Sequence, residues 1–498
     1  MGQSTFAKRL ALAMSEKNLK QVDMLRLAEQ QGRKLGKSQL SQYLSGKTMP
    51  RKEMLRFLAI TLEVEESWLT QKGEGSDTKT NDQPNEFNSL EVAPMRKFKK
   101  SSKLDHVSYD VRGPVLDEAN RMEEAGTHIL KLNIGNPAPF GFRTPDEVVH
   151  DMARQLTDCE GYSDSRGLWS ARKAIMQYDQ IKGIPNVQMK DIYTGNGVSE
   201  LINLVMQAMV DTGDEILVPS PDYPLWTACV TLAGGHAVHY LCDEQADWYP
   251  DIDDIRSKVT SATKAIVVIN PNNPTGALYP KEVLQQIVDI AREHQLIILA
   301  DEIYDRLVMD DLEHTSIASL APDLFCITLN GLSKSHMIAG YRIGWMSLSG
   351  NKRMVGDLIE GINMLSNMRL CSNVPAQSIV QTALGGHQSV KGYVVPGGRV
   401  RNQRDYVYER LSSIDGVSVV KPRAAFYIFP RLDPEKFNIT DDDQFALDLL
   451  REQKVLVVSG KGFNWETPGY FRVVFLPRRA VLGEALDRLE QFLETYRQ

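Results

Sequence analysis

Cysteine is scarce in this chain, with five residues among 498: Cys159, Cys229, Cys242, Cys326 and Cys371. Their number is odd and no pair has C-x-x-C spacing, so they read as buried thiols in a reducing cytoplasm, not as a disulfide framework. Long apolar runs are missing as well. No stretch of ~18 apolar residues could span a bilayer. The chain also lacks a charged-then-apolar start with a small-residue cleavage site, so neither a membrane segment nor a secretory signal is expected. No metal site is expected either. What remains is an ordinary soluble composition, 42% apolar and 24% charged, over a length sufficient for about three domains.

Positive charge is concentrated at one end. Residues 1–72 carry 13 Lys and Arg against 7 Asp and Glu, a net of +6 within a chain whose total is −7. A compact basic module is what contact with a phosphate backbone requires, and a solvated lysine-rich face is the plain alternative. Phe6, Leu10, Ala13 and Met14, then Val22, Leu25, Leu27 and Ala28, fall at helical spacing with a break at Asn18. After a turn over Gly32–Gly36, Ser38 can cap a third helix, 39–44, which stops at Ser45-Gly46; a fourth follows Pro50 at 54–62, and a last turn passes through Trp68-Leu69. The run Lys37-Ser-Gln-Leu-Ser-Gln-Tyr-Leu-Ser-Gly-Lys-Thr-Met-Pro50 resembles the recognition helix of helix-turn-helix domains of the lambda repressor and Cro type, with a turn about two residues longer. That resemblance implies duplex DNA as partner, Lys37, Ser38, Gln39 and Gln42 at base edges, and Lys47 and Arg51 on phosphates. A bundle used for protein contacts is the alternative. Residues 73–100 are polar and rich in chain breakers, as a flexible linker is.

The remainder, 101–498, alternates apolar β-branched runs (215–218, 265–269, 297–300, 325–328) with helical patterns such as 281–293. Strands of that kind are covered on both faces, which predicts an α/β domain with a mostly parallel sheet and binding sites at the carboxyl ends of its strands. Lys334, in Ser333-Lys334-Ser-His-Met-Ile-Ala-Gly340-Tyr-Arg342-Ile-Gly-Trp345, is the candidate nucleophile. An amine that condenses with a carbonyl cofactor must be partly deprotonated near neutral pH, and burial beside fixed cations lowers a lysine pKa in that direction. Arg342 can grip phosphate through two parallel hydrogen bonds, so the segment suits a phosphorylated aldehyde.

Other motifs also fall where strands end. Thr194-Gly-Asn-Gly197-Val198-Ser199 is a glycine turn opening a helix, an anion site. Pro219-Ser-Pro-Asp-Tyr223-Pro frames one aromatic ring. In Asn270-Pro-Asn-Asn273-Pro-Thr-Gly276 the Asn273 amide is left free to donate, and in Ala300-Asp301-Glu-Ile-Tyr304 a carboxylate ends an apolar strand and needs a cationic partner. Arg472, in Gly469-Tyr-Phe-Arg472-Val-Val-Phe475, is a charge in an apolar strand that is costly unless paired.

Together these motifs resemble the class I/II pyridoxal-phosphate aminotransferases of fold type I, over about residues 104–498. Within that family the runs Tyr109-Asp-Val-Arg112-Gly-Pro, GNGVSELI and NGLSKSHM are most similar to the bacterial alanine (glutamate:pyruvate) group. The resemblance implies pyridoxal 5'-phosphate bound by Lys334, with Val198, Ser199 and Arg342 on its phosphate, Tyr223 against its ring and Asp301 at its pyridine nitrogen. It places Asn273 and Tyr304 at the 3-hydroxyl oxygen and Arg472 on the substrate's α-carboxylate. Gly135 (in Asn133-Ile-Gly135-Asn-Pro137), Tyr109 and Arg112 fall on the substrate side. Tyr162 would be donated by a second subunit, hence a homodimer. A large domain of about 145–385 and a small one from 101–144 and 386–498 are implied. The rival to an enzyme is a transcription regulator in which this fold serves as a sensor.

Overall fold

The computed structural model describes residues 5–17, 19–30, 32–70, 98–105, 107 and 113–498. The expected linker therefore lies outside the described residues except at 98–100, as do Asn18, Tyr109 and Arg112. The chain divides into two compact units, 1–98 and 99–498.

Among its described residues the first unit has five helices: Thr5–Glu16, Gln21–Gln30, Lys37–Leu44, Lys52–Thr61 and Glu66–Thr70. Phe6, Leu10, Met14, Met24, Ala28, Leu40, Tyr43, Phe57, Leu58 and Leu69 close one core among them. Two expectations need correction. Val22 is 56% exposed, and Met24 takes the inward place on the second helix. Ser38 does not cap the third helix: extended Gly36 (φ −88°, ψ 153°) precedes its first residue, Lys37, and no side chain caps it, so Ser38 already lies in the first turn.

In the second unit an eight-stranded sheet runs, edge to edge, Ile192–Gly195, Gly344–Gly350, Phe325–Gly331, Ile297–Asp301, Thr263–Ile269, Glu215–Ser220, His236–Asp243, Tyr249–Pro250. The five strands from Phe325–Gly331 to His236–Asp243 are parallel. The flanking pairings are antiparallel, so the sheet is mixed where the apolar runs suggested mostly parallel. Alternation explains the burial on both faces. Ile266, Val268 and Ile298 pack under the Lys281–His294 helix through Leu284, Ile287 and Val288. Ala265, Val267, Ile269 and Leu299 point the other way, onto Leu201, Ile202 and Val205 of the Val198–Met209 helix. Each fully buried Ile, Val or Leu among them contributes ~1.5–3 kcal/mol, which explains the apolar runs 265–269 and 297–300 that lead to the carboxyl ends of these two strands.

A further core joins Leu130, Leu132 and Phe142 to Val400, Val407, Phe445, Leu486 and Phe492. Its three-stranded sheet sets Phe471–Val474 antiparallel between Tyr427–Ile428 and Val458–Ser459. Cys229, Cys242 and Cys326 are buried, whereas Cys159 and Cys371 are partly exposed, since neither lies in a strand or facing a core. Among the described residues no helix is long and apolar enough to cross a membrane.

Candidate active site

A cavity of about 550 Å³ opens at the carboxyl ends of the parallel strands. Gly135, Val198, Ser199, Tyr223, Asn273, Asp301, Tyr304, Lys334, Arg342 and Arg472 all line it. Tyr162 does not; it is 83% exposed on the 161–167 loop.

One end of the cavity is cationic. Gly197, at φ 82°, turns the chain into the Val198–Met209 helix, so the free backbone N–H groups of the first turn face the opening. Arg342 approaches that turn, donating to the carbonyls of Asn196 (3.1 Å) and Ala339 (2.9 Å). The approach needs glycines, because a Cβ on Gly197 would stand 2.2 Å from Arg342 Nη2 and one on Gly344 2.6 Å from the Val198 nitrogen.

The other end is acidic. Asp301 is buried at the last position of its strand, accepting from the Trp226 indole (3.2 Å) and the Ile303 amide (3.3 Å). Burial pushes its carboxyl up to about 6, against the pull of those hydrogen bonds and of the Lys334 charge. A cationic partner would relieve that penalty.

Lys334 lies between, half-buried in the short Leu332–Ser335 helix, and donates to the Gly135 carbonyl at 2.7 Å. The three asparagines of the 270–276 turn divide their work. Asn270 Oδ1 accepts from the Tyr279 amide (2.9 Å), Asn272 Oδ1 from the Thr275 hydroxyl (2.9 Å), and Asn273 Oδ1 from Arg472 Nη1 (2.9 Å). Arg472 also donates to the Asn133 carbonyl and lies over the rings of Tyr427 (4.4 Å) and Phe463 (4.6 Å). Those aromatic faces and carbonyl partners make a charge in this strand tolerable.

Sequence reasoning missed Tyr427, whose hydroxyl is 2.8 Å from that of Tyr304, as well as the parts of Trp226, Phe463 and Asn133. Tyr427 belongs to the run Ala424-Ala-Phe-Tyr427-Ile-Phe429, which as sequence reads only as apolar core. Elsewhere, Glu302, Asp305 and His314 gather as a metal site would, but the Lys182 ammonium is ion-paired to both carboxylates.

A lysine between an anion-binding helix start and a buried carboxylate, inside a glycine-tight cradle, fits a phosphorylated pyridine aldehyde and defines a pyridoxal-phosphate transferase. The pattern of the class I and II aminotransferases matches residues 127–489, and the chain belongs to that family, whose cofactor is pyridoxal 5'-phosphate. It is 59% identical over 404 residues to the glutamate-pyruvate aminotransferase AlaA of Haemophilus influenzae, covering 81% of this chain and all of that protein. It is 56% identical to the alanine aminotransferase of Mycobacterium tuberculosis, covering 81% of this chain and 94% of that one. Among solved structures, an Escherichia coli aminotransferase superposes with a TM-score of 0.80 at 58% identity, covering 81% of this chain and 100% of that one. The Pyrococcus furiosus alanine aminotransferase gives 0.76 at 40% identity, covering 80% and 100%.

Proposed function

We propose that the protein moves an amino group between L-alanine and 2-oxoglutarate, giving pyruvate and L-glutamate. The observation that carries this is the cavity itself, lined by Lys334, Asp301 and Arg472 in a chain closely similar to one enzyme named for glutamate and pyruvate and another named for alanine. When bound, pyridoxal phosphate supplies a carbonyl that condenses with amines and an electron sink for the substrate α-carbon. Val198, Ser199 and Arg342 hold its phosphate, Tyr223 covers its ring, and Asn273 and Tyr304 attend its phenolic oxygen. Asp301 keeps the pyridine nitrogen protonated. Lys334 would hold the cofactor and, as the amine beside the substrate α-carbon, would move the α-proton as general base. Arg472 forks the α-carboxylate, at the edge formed by Gly135.

Tyr162 reaches the phosphate of a second copy in this reading. Its loop is tied to the Gly356–Met368 helix by the Ser165–Asn367 hydrogen bond (2.7 Å), and Met364, Met368 and Leu370 are all more than half exposed nearby in sequence. Such apolar exposure suits a homodimer interface. The catalytic module spans 101–498, with a large part of about 145–385 and a small part from 101–144 and 386–498. Five free cysteines suit a cytoplasmic protein.

The test is a half-reaction followed through the visible band of the holoenzyme, which L-alanine and L-glutamate should each bleach and pyruvate or 2-oxoglutarate restore. Tyr109 and Arg112 are proposed on the substrate side, with Arg112 reading glutamate's second carboxylate. Arg112→Ala should then slow the glutamate half-reaction about ten- to a hundredfold, the value of one charge-assisted contact, and spare alanine. Equal losses for both would make Arg112 a shaping residue only; no bleaching by either amino acid would refute the assignment.

A second role rests on residues 1–72, a helix-turn-helix module in this reading. Lys37, Ser38, Gln39 and Gln42 all lie exposed on the Lys37–Leu44 helix, within the 1–72 segment of net charge +6, as base-reading residues must. Full-length protein should shift duplex fragments selectively, with affinity falling about 10³-fold or more between 50 and 200 mM salt. Salt-insensitive or absent binding would make the module one for protein contacts.

A further inference from the structure

On the reading that the cavity holds pyridoxal phosphate, we propose that Tyr427 is a positioning residue that fixes Tyr304 as a hydrogen-bond donor to the cofactor's phenolic oxygen through a two-hydroxyl relay. Tyr304 and Tyr427 are 4% and 2% exposed, and their hydroxyl oxygens are 2.8 Å apart. Each phenol carries one proton, so the pair shares one hydrogen bond whose direction is set by whatever else the two oxygens meet. Burial, with Tyr427 alongside, holds the Tyr304 phenol protonated far above its ordinary range. To give that proton to an anionic oxygen, Tyr304 must accept from Tyr427. The opposite order would spend the Tyr304 proton on Tyr427.

Tyr427 is placed to hold one direction. Its backbone pairs with Val474 in the sheet that carries Arg472, and its ring lies under the Arg472 guanidinium at 4.4 Å. The Tyr304 ring meets it edge-on at 5.6 Å and 85°. A Cβ on Gly135 would stand 2.0 Å from the Tyr427 hydroxyl oxygen, so residue 135 must be glycine for this tyrosine to fit. The same Gly135 accepts from Lys334. The charged groups facing the pair are Arg472 from its strand, Asp301 from the neighbouring strand end, and Lys334, which approaches the adjoining Phe426 ring at 5.9 Å. None of these offers Tyr304 a second donor hydroxyl.

A hydroxyl that accepts one hydrogen bond donates a stronger one, by roughly 10–30%. In Tyr427→Phe the ring and its contact with Arg472 remain and only the first donor is lost. Negative charge on the phenolic oxygen is then less well stabilised, and the proton on the lysine-linked nitrogen is held to higher pH. A pH titration of the visible band should show its midpoint raised by about 0.3–0.7 units. The alanine KM should change less than about twofold, because the α-carboxylate fork is untouched.

Tyr304→Phe should raise the midpoint further, and adding Tyr427→Phe to it should move the midpoint by no more than about 0.1 unit, because the second residue acts only through the first. Thermal unfolding of the cofactor-free Tyr427→Phe protein, expected about 1–4 °C below wild type, shows that the shift is read from a folded site. A wild-type midpoint in Tyr427→Phe, or an undiminished shift in the Tyr304→Phe background, overturns the relay. A wild-type holoprotein with no titrating visible band overturns the cofactor reading on which the relay depends.

Discussion

Lys334→Ala is expected to abolish amino transfer, with turnover falling at least about 10²–10⁴-fold from the loss of proton transfer alone and further from the loss of the covalent link. Lys334 is the one lysine among the residues lining the cavity, so no other amine there can take its place. The cofactor should still bind, because the Val198 helix start, Arg342 and Asp301 do not depend on the lysine. Retention is read from the absorbance after gel filtration, and activity from single-turnover mixing with L-alanine. A small primary amine should restore part of the rate by serving as an external base. Undiminished turnover in Lys334→Ala would remove Lys334 from the mechanism.

The second large effect separates stability from activity at Asp301. Its carboxyl is buried and raised from an ordinary 3.8 to about 6, so the fold prefers the neutral form. That preference contributes stability fully below about pH 4 and is lost as pH rises through about 6, beyond which the ionised group costs roughly 3 kcal/mol in the cofactor-free protein. Asp301→Asn removes the charge while leaving an oxygen for the Trp226 indole. Cofactor-free Asp301→Asn should therefore be more stable than wild type at pH 8 by about 1–3 kcal/mol and show little gain at pH 4, measured by urea unfolding. Turnover should fall about 10²–10³-fold, since the carboxylate no longer holds the pyridine nitrogen protonated. The charge that strains the empty fold is the one the reaction uses. Equal stability of the two proteins at both pH values would show that Asp301 carries no such strain.

The cavity-lining residues expected from sequence were legible because their chemistry is local. A glycine turn before a helix, a carboxylate ending an apolar strand or a lysine beside an arginine can each be read within about a dozen residues, and parallel strands bring their carboxyl ends to one edge. Helical periodicity also placed the N-terminal core broadly. It failed at Val22, which at roughly 100° per residue lies about 200° around the helix from Met24, so that the face shared by Met24 and Ala28 turns inward and Val22 outward. It failed again at Ser38, where the extended backbone of Gly36 set the helix start without help from a side chain.

By itself the sequence determined the α/β class, the strand ends and ten of the residues that meet in the cavity. Only the tertiary structure decided what stands behind them. Trp226 reaches Asp301 across 75 residues, Tyr427 reaches Tyr304 across 123, and the Asn133 carbonyl meets Arg472 across 339. An aromatic in an apolar run and a backbone carbonyl have no local signature of such contacts. Their roles arise when packing brings a hydroxyl, an indole or a carbonyl beside a buried charge that must have a partner.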